Sequence, residues 1–356
     1  MTFNKRTIGA DKEQLAAEYL IDNGYTVLER NFRSRTGEID IIASKDNYLV
    51  FIEVKYRSST RYGAAVEAVN YKKQQTIRKV ASYYLARLCN RNGITYIEFT
   101  PFDKFDWVKL HFSTRLGGVS EGMYSSMNFS FDRGDSYDNV YKNYELFLDT
   151  MGLKPENCVC TKQTHTTNVL VADSSMAGMG LTKPRSFDNV DGLITNEPGL
   201  CLVTYFADCV PVYFIDPVNK SIGAAHSGWR GTVANITHEV VKLMKETYGS
   251  RPEDIHTFIG PSICQDCYEV DETVASQFRQ AYELKESDMM LYHTRDDKYQ
   301  LNLQTANYYN MIHEGILPDN IGISDICTSC NSDWLFSHRA SHGKRGVLCG
   351  FMSICR

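Results

Sequence analysis

The chain has 356 residues, with 38 Lys and Arg against 43 Asp and Glu, and a net charge of −5. This mild acidity excludes a general nucleic-acid or membrane-surface binder, and the 43% apolar content is ordinary for a globular chain of about two domains. The first residues lack the apolar core of a signal peptide, and no apolar run approaches bilayer length. We therefore expect a cytoplasmic protein whose eleven cysteines are thiols, metal ligands or buried apolar groups.

The first ninety residues predict a helix, three strands and a longer helix. Leu15, Tyr19 and Leu20 have helical spacing, and this helix ends at an Asn-Gly pair. Three stretches rich in β-branched and aromatic residues follow and predict strands: YTVLERNF, GEIDIIAS and NYLVFIEVKYRSS. The longer helix is predicted from about Val66 to Cys89.

Charged residues alternate along two of these strands. Side chains two positions apart share a face of a strand, so Glu38 points with Asp40 and Glu53 points with Lys55. Such a group could bind a divalent ion and activate water for phosphodiester cleavage. Charges also alternate on ordinary solvated strands, and the spacing alone favours that interpretation.

The stretches GEIDIIA, VFIEVKYRSS and AVNYKKQQTIRKVASYYL resemble the YraN family, which is similar to the restriction-endonuclease fold. The resemblance places Glu18, Asp40, Glu53 and Lys55 on acidic and lysine positions of that fold and implies a nuclease site with magnesium. In that family a further strand follows the second helix, whereas the sequence of this chain differs from the family there. We therefore expect a domain over 1–92 that is clipped at its C-terminal end. Cleavage of nucleic acid and mere docking of nucleic acid both stay open for it.

From about Ile94 the composition shifts toward tyrosine, glycine and cysteine, and helical stretches alternate with short strands. Each predicted helix ends near Gly or begins at Asp, Asn or Thr, as capping requires. The predicted helices are NVYKNYELFLDTMG, TVANITHEVVKLMKETYG, DETVASQFRQAY and LNLQTANYYNMIHEG. We expect a second domain over 93–356, of the α/β or α+β class.

A hairpin is predicted in the middle of this domain. Two apolar extended runs meet at ADC in GLCLVTYFADCVPVYFID, DPVN is a turn, and KSIGAAHS returns as a strand. A turn flanked by Asp216 and Asn219 pairs Cys209 directly with His226, with their Cβ atoms about 5 Å apart. A bulge, or Pro211, would disturb this register.

Small residues surround His226 in GAAHSGWRGT, which leads into a predicted helix. Glycines before a helix N-terminus expose backbone N–H groups, and the guanidinium group of Arg230 is suited to bind phosphate. A tight turn with a packed Trp229 explains the pattern equally well. His165, in the predicted polar-rich strand TKQTHTTNVLVAD, is a third candidate. Two histidines and the Cys209 thiolate would hold zinc with one open position, the arrangement of a catalytic site.

Several motifs together resemble the YfiH, or laccase-domain, family over about residues 94–356. They are HFSTRLGGVSEGMYSSMNFS, KQTHTTNV, VDGLITNEPGLCLVTYFADCVPV, GAAHSGWRGT, IGPSIC with CYEV, and CTSCNSDWLFSHRASHGKRG. The resemblance implies a mixed α/β fold similar to a toxin deamidase domain, with zinc ligands at His165, Cys209 and His226. It also implies phosphorolysis of adenosine, inosine, guanosine and methylthioadenosine, with phosphate as co-substrate, and deamination of adenosine to inosine.

Further roles follow on the same resemblance. We expect Arg115 and Arg230 to contact phosphate or ribose, and Arg339 lies in FSHRASHGKRG, a run that departs from many relatives and is expected to affect substrate preference. Asp208 is expected to orient a ligand or move a proton.

Two other activities stay open for this domain. Cys209 could be the nucleophile and His226 its base in a metal-free thiol hydrolase or deamidase. A copper polyphenol oxidase is disfavoured because the nine histidines include no His-x-His pair. The pairs CQDC and CTSC resemble a four-cysteine zinc site, but they lie much farther apart than usual, which favours buried thiols near the active-site wall.

Overall fold

The computed structural model describes residues 5–34, 37–46, 48–55, 73, 76, 77, 80, 81, 84 and 86–355. The chain divides into two compact units, Met1–Leu85 and Ala86–Arg356. The predicted boundary after residue 92 falls inside a hairpin of the second unit, because Asn92 and Gly93 adopt φ angles of 54° and 83° and form its turn. The predicted helix is therefore wrong at 86–89, where the chain is a strand, and most of its earlier part lies outside the described residues.

The first unit contains the predicted helix and three predicted strands, but the third strand ends at Ile52, so the prediction is wrong at Glu53 and Lys55, and its last residues, 56–59, lie outside the described residues. These elements are α1 (Lys5–Asp22), β1 (Thr26–Ser34), β2 (Gly37–Lys45) and β3 (Tyr48–Ile52), and the strands form an antiparallel sheet in the order β1-β2-β3. Apolar clusters cover both faces of the sheet, which is why β2 is a nearly continuous apolar run. One cluster contains Ile39, Ile42, Val80 and Ala81, and the other contains Ala17, Ile41 and Ala43.

The second unit contains fifteen strands within its described residues. They are β4 (Ala86–Arg91), β5 (Ile94–Phe99), β6 (Val108–Ser113), β7 (Cys158–Cys160), β8 (Val169–Val171), β9 (Gly192–Thr195), β10 (Cys201–Phe206), β11 (Val210–Asp216), β12 (Ser221–Ser227), β13 (His256–Ile259), β14 (Glu269–Asp271), β15 (Leu291–Arg295), β16 (Lys298–Leu301), β17 (Ile321–Ile323) and β18 (Leu348–Ile354). Two mixed six-stranded sheets have the orders β4-β5-β6-β18-β10-β7 and β17-β13-β11-β12-β9-β8, and a small antiparallel sheet has the order β14-β16-β15.

Helices connect and cover these sheets, close to where the sequence predicts them. They are α2 (Tyr137–Met151), α3 (Trp229–Val233), α4 (Ile236–Tyr248), α5 (Glu272–Ala281), α6 (Leu284–Met290) and α7 (Leu303–His313). The predicted helix over 232–249 is split, because Asn235 adopts a φ of 55° and its side chain accepts a hydrogen bond from the His238 N–H. In the described part of the chain, no helix is both long and apolar enough to span a membrane.

The two large sheets pack face to face, and helices cover their outer faces. On the inner side, Tyr213 of β11 lies against β18, where a Cβ on Gly350 would collide with the Tyr213 hydroxyl group. On the outer side of the first sheet, Phe147 of α2 stacks on Phe351 of β18 with ring centroids 4.6 Å apart. Helices α4 and α7 cover the second sheet. The predicted mixed α/β class is confirmed, and the similarity to a toxin deamidase fold stays a prediction.

The hairpin of β11 and β12 is present, but its predicted register is wrong by two residues. Asp216 pairs with Ser221, so Pro211 rather than Cys209 lies directly opposite His226. A shift of two residues leaves each side chain on its predicted face of the sheet. Cys209 and His226 therefore still meet, diagonally rather than directly.

The turn of this hairpin explains the shift, because four residues rather than two connect the strands. The buried Asp216 carboxylate accepts hydrogen bonds from the backbone N–H groups of Val218 and Asn219, at 2.8 and 3.0 Å. Lys220 adopts a φ of 51°, which completes the turn. An Asp side chain that bonds to the following backbone stabilises this wider turn.

Candidate metal centre and adjoining cavity

Three predicted side chains, those of His165, Cys209 and His226, converge in the second unit. Their ligand atoms all lie within 4.8 Å of one another. The Cys209 Sγ is 3.9 Å from the His165 Nε2, and the two imidazole rings have centroids 4.9 Å apart at 75°. One thiol and two imidazoles form the donor set that a four-coordinate zinc ion uses when one position stays open.

The three side chains come from different parts of the fold. His165 lies in the loop between β7 and β8 with a φ of 64°, so the predicted strand is wrong there and is confined to Val169–Val171. Cys209 ends the connection from β10, in the first large sheet, to β11, in the second. His226 lies near the end of β12.

A buried carboxylate that the sequence analysis missed, Asp191, positions both histidines. Its Oδ1 lies 2.8 Å from the His226 Nδ1 and accepts a hydrogen bond from the His165 N–H at 3.0 Å. Its Oδ2 accepts hydrogen bonds from the Thr164 N–H and the Thr166 N–H, both at 3.0 Å. Because Nδ1 of His226 is engaged in this way, Nε2 is the nitrogen left for a metal.

The pairing of β9 with β12 is the feature that places Asp191 beside His226. Gly192 at the start of β9 pairs with Ala225 of β12, so the preceding residue comes next to His226. The His226 N–H accordingly donates to the Asp191 carbonyl oxygen at 2.7 Å. Finding this from sequence requires the pairing of β9 with β12, which the hairpin argument did not include.

Asp208, which is expected to orient a ligand or move a proton, accepts hydrogen bonds from two other loops. Its Oδ1 accepts a hydrogen bond from the Thr328 hydroxyl at 2.6 Å, and its Oδ2 accepts one from the Arg339 N–H at 2.7 Å. The Arg339 guanidinium donates to the carbonyl oxygens of Cys267 and Glu269, at 3.2 and 3.0 Å. Both side chains therefore fix the backbone around Cys209.

The charges of the centre favour a thiolate beside an imidazolium when no metal is bound. Burial raises the pKa of the Cys209 thiol, but His226 and His165 lower it by more, to about 6. Burial lowers the pKa of His226, but the Cys209 thiolate and Asp191 raise it by more, to about 9. A thiolate is the form of cysteine that binds metals.

Gly228 lies where Cys209 and His165 approach the backbone. A Cβ at this position would lie 2.7 Å from the His165 Cδ2 and 3.2 Å from the Cys209 Sγ. Its φ of −71° suits any residue, so only this lack of space requires glycine. Gly228 therefore makes room for the side chains of His165 and Cys209.

We expect Gly228→Ala to weaken metal binding at this centre roughly 10- to 100-fold, because the added methyl group displaces the His165 ring. Competition with a chromophoric chelator measures the affinity. Gly231→Ala is the matched control, since the nearest atom to its Cβ would be the Thr166 carbonyl oxygen at 3.4 Å, an ordinary contact. Equal losses in the two variants would contradict the steric explanation.

A cavity of about 650 Å³ adjoins the three ligand residues, which form part of its wall. Aromatic side chains line another part, and four cationic side chains reach into it. The aromatic residues are Phe129, Phe131, Tyr205 and Phe206, and the cationic residues are Arg133, Lys162, Arg185 and Arg345. Asp132 also lines the cavity and pairs with Lys162 at 3.3 Å, so three arginines are left to attract an anion.

Arg345 is the buried cation of this cavity. Its Nη1 donates to the Gly346 carbonyl oxygen at 3.0 Å, whereas its Nε has no hydrogen-bond partner among the described residues. Burial, and then the charge of Arg133, lower the pKa of Arg345 to about 10, so it stays cationic at neutral pH. A buried donor without a partner is costly, and an anionic ligand would satisfy it.

The arginines predicted to contact substrate lie elsewhere, since none of Arg115, Arg230 and Arg339 lines this cavity. The Arg115 guanidinium donates to the carbonyl oxygens of Ser125 and Ser332, at 2.8 and 2.9 Å, and so joins two loops. Arg230 is exposed and stacks on the Trp229 ring, 4.3 Å from its centroid. Cavity residues Arg133 and Arg185 were missed because no local motif marks them.

In the first unit, Asp40, Glu53 and Lys55 form one electrostatic group. Asp40 is buried and accepts a hydrogen bond from the Val54 N–H at 2.7 Å. Burial raises its pKa, and the nearby Glu53 raises it further. Glu53 pairs with Lys55 and with Lys73, the latter at 2.8 Å. Asp40 of β2 therefore comes together with two residues that follow the end of β3, and their charges are largely compensated.

Glu18, the fourth predicted residue, does not belong to this group. It is exposed and accepts a hydrogen bond from the Gln14 side chain at 2.8 Å, whereas Glu13 is the α1 acid whose charge acts on Asp40. Ala17, one turn after Glu13, packs toward the sheet, so the adjacent Glu18 faces away. Among the described residues, both groups that could hold a metal lie in the second unit. Magnesium in the first unit stays a prediction.

The chain belongs to the family described as multi-copper polyphenol oxidoreductase laccase, because the profile of that family matches residues 109–355. Residues 12–110 match uncharacterised protein family UPF0102, which is YraN-like. The two family resemblances read from the sequence motifs are thereby confirmed.

Similar proteins include two relatives and one solved structure that each match about two thirds or more of the chain. Purine nucleoside phosphorylase YlmD of Bacillus subtilis is 35% identical over 244 residues, 68% of this chain and 87% of the relative. A purine nucleoside phosphorylase of Bacteroides thetaiotaomicron is 36% identical over 248 residues, 68% of this chain and 90% of the relative. The crystal structure of YlmD from Geobacillus stearothermophilus has a TM-score of 0.70 at 31% identity, covering 76% of this chain and all of that chain. These similarities support an enzyme.

Proposed function

We propose that this chain is a purine nucleoside phosphorylase that depends on a zinc ion held by His165, Cys209 and His226. The observation that carries the proposal is the meeting of these three side chains at the wall of a cationic and aromatic cavity. The names of the relatives supply the substrate class.

The residues present fit zinc. A thiolate and two imidazoles are ligands that zinc accepts, and their ligand atoms are close enough together to share one ion. Asp191 fixes the ring of His226 by its Nδ1, as carboxylates commonly do for metal-binding histidines. A bound zinc ion would supply Lewis acidity at this end of the cavity.

The cationic part of the cavity suits phosphate. Arg133, Arg185 and Arg345 would bind the dianion and hold one oxygen toward C1′ of the ribose. In phosphorolysis that oxygen forms a bond to C1′ and the C1′–N9 bond breaks. The electron pair and a proton go to the departing purine, which leaves ribose 1-phosphate.

The aromatic part of the cavity suits the base. A volume of about 650 Å³ lies in the range of small-molecule sites, and ring walls such as Phe131 favour a planar purine. Adenosine, inosine, guanosine and methylthioadenosine share this base and the C1′–N9 bond, so we include all four as substrates. Deamination of adenosine to inosine is a further proposed activity, since it needs the same metal end of the cavity.

A product assay on one purified sample tests the proposal. Adenosine is incubated with and without phosphate, while adenine, inosine, hypoxanthine and ribose 1-phosphate are followed by chromatography and zinc and copper are quantified. We expect base release only with phosphate, whereas inosine formed without phosphate reports deamination. No turnover, no metal and an alkylatable Cys209 would instead favour the thiol hydrolase. Copper with oxygen consumption on phenols would favour the oxidase.

The arginine assignment has a direct test. We expect Arg345→Gln to raise the KM for phosphate at least about tenfold, because it removes a charge-assisted contact worth about 1.5–3 kcal/mol. Steady-state kinetics at varied phosphate measure this, and Arg345→Lys should restore part of the affinity. Arg230→Gln is the control and should change KM less than about twofold. A large increase in the KM for phosphate in Arg230→Gln, with no increase in Arg345→Gln, would instead place the phosphate site at the turn after β12.

A further inference from the structure

Two cysteine pairs outside the cavity come together in the folded chain. The sulfur atoms of Cys264, Cys267, Cys327 and Cys330 all lie within 4.8 Å of one another, and those of Cys267 and Cys330 are 3.5 Å apart. The long separation of the two pairs in the chain therefore does not keep them apart in the fold. We propose that these four thiolates bind a second, structural zinc ion.

Parallel pairing of two distant segments explains why the pairs meet. Ser262 and Cys327 form an isolated parallel bridge, in which the Ser262 N–H donates to the Ile326 carbonyl oxygen at 3.0 Å and the Thr328 N–H donates to the Ser262 carbonyl oxygen at 3.1 Å. One Cys-x-x-Cys begins at Cys264, just after Ser262, and the other begins at Cys327 itself. Two such turns facing each other form the usual frame of a four-cysteine zinc site.

The distances suit a tetrahedral ion better than a disulfide. Four sulfurs at about 2.3 Å from a central zinc lie about 3.8 Å from each other, whereas a disulfide needs about 2.05 Å and joins only two of the four. The backbone N–H groups of Cys264 and Cys330 both point at the Cys327 Sγ at 3.3 Å, which stabilises a thiolate there. With four protein ligands the site is closed, as structural zinc sites are.

The site connects to the loop that carries Cys209. Thr328, between two of the cysteines, donates its hydroxyl to Asp208, and Arg339 joins the Cys267 carbonyl oxygen to the same carboxylate through its own N–H. An ion that fixes both cysteine turns would therefore also fix Asp208, one residue before Cys209. The inference does not rest on the proposed function, because it concerns other ligands.

Zinc content of matched variants tests the proposal. We expect about two zinc ions per chain in the wild type, purified without chelator, and about one in Cys267→Ser/Cys330→Ser, which keeps the centre at His226. His226→Ala should also keep about one, at the cysteine site. Cys89→Ser/Cys355→Ser removes two thiols that belong to neither group and should keep two. If Cys267→Ser/Cys330→Ser binds as much zinc as the wild type, the proposal is wrong.

A measurement on the wild type alone covers the case in which that variant fails to fold. Alkylation followed by peptide mass spectrometry should find the four cysteines protected until a strong zinc chelator is added. Cys267 and Cys330 joined as a disulfide, iron in place of zinc, or free alkylation without chelator would each overturn the assignment. Loss of one ion in His226→Ala but not in the cysteine variant would leave the proposed function standing and remove only this inference.

Discussion

His226→Ala should lower kcat/KM for phosphate-dependent base release roughly a thousandfold and remove about one zinc ion per chain. The substitution deletes one of three ligands and leaves the Asp191 carboxylate buried without its imidazole partner. An unpaired buried charge is itself costly, so we also expect lower thermal stability. Product chromatography and metal analysis on the same sample measure the activity and the zinc content, and thermal denaturation measures the stability.

His238→Ala is the matched control for this prediction. His238 lies half-exposed on α4 and contacts Glu314 at 2.9 Å, and it lines no part of the cavity. Its loss should leave activity and zinc content within about twofold of the wild type. Full activity and full zinc in His226→Ala would refute the metal centre, whereas lost activity in a protein that never held zinc would point to Cys209 as a nucleophile.

Asp191→Asn should lower zinc affinity at this centre roughly 10- to 100-fold, with a comparable loss of turnover. The carboxylate accepts hydrogen bonds from the backbone of Thr164, His165 and Thr166 as well as from His226. An amide keeps the shape but turns one acceptor into a donor, which then faces N–H groups. Chelator competition measures the affinity, and chemical denaturation should show a loss of about 1–3 kcal/mol.

Asp216→Asn separates this effect from simple destabilisation. Asp216 is also a fully buried carboxylate that accepts backbone hydrogen bonds, but it lies at the turn end of the β11–β12 hairpin, away from His226. We expect a similar loss in the free energy of unfolding with unchanged zinc affinity. If both variants lose zinc equally, Asp191 acts through overall stability rather than by positioning the histidines.

The meeting of the three candidate metal ligands could be predicted from sequence although the hairpin register was not. The period of two in a strand keeps Cys209 and His226 on one face whether the turn holds two residues or four. The Asp216 side chain, which selects the wider turn, acts through local hydrogen bonds that the count of turn residues ignores. His165 needed the family resemblance, because its loop is not a strand and nothing local directs it toward Cys209.

The cationic cavity could not be predicted in the same way. Arg230 follows His226 closely in the chain, yet it stacks on Trp229 outside the cavity. Arg185 and Arg345 come from segments far from the motif and reach the cavity only through tertiary packing. The meeting of the two cysteine pairs could not be predicted for the same reason. Their separation in the chain does not reveal that Ser262 and Cys327 pair in parallel.

The chain passes from the first large sheet to the second at the β7–β8 loop and again at the β10–β11 connection, and each passage contains one candidate metal ligand, His165 and then Cys209. We therefore expect the distances between the three candidate ligand atoms to depend on the distance between the two stacked sheets. Gly350, which lets β18 lie against the Tyr213 hydroxyl, helps to set that distance. We therefore expect the zinc affinity of the proposed centre to depend on how closely the two large sheets pack.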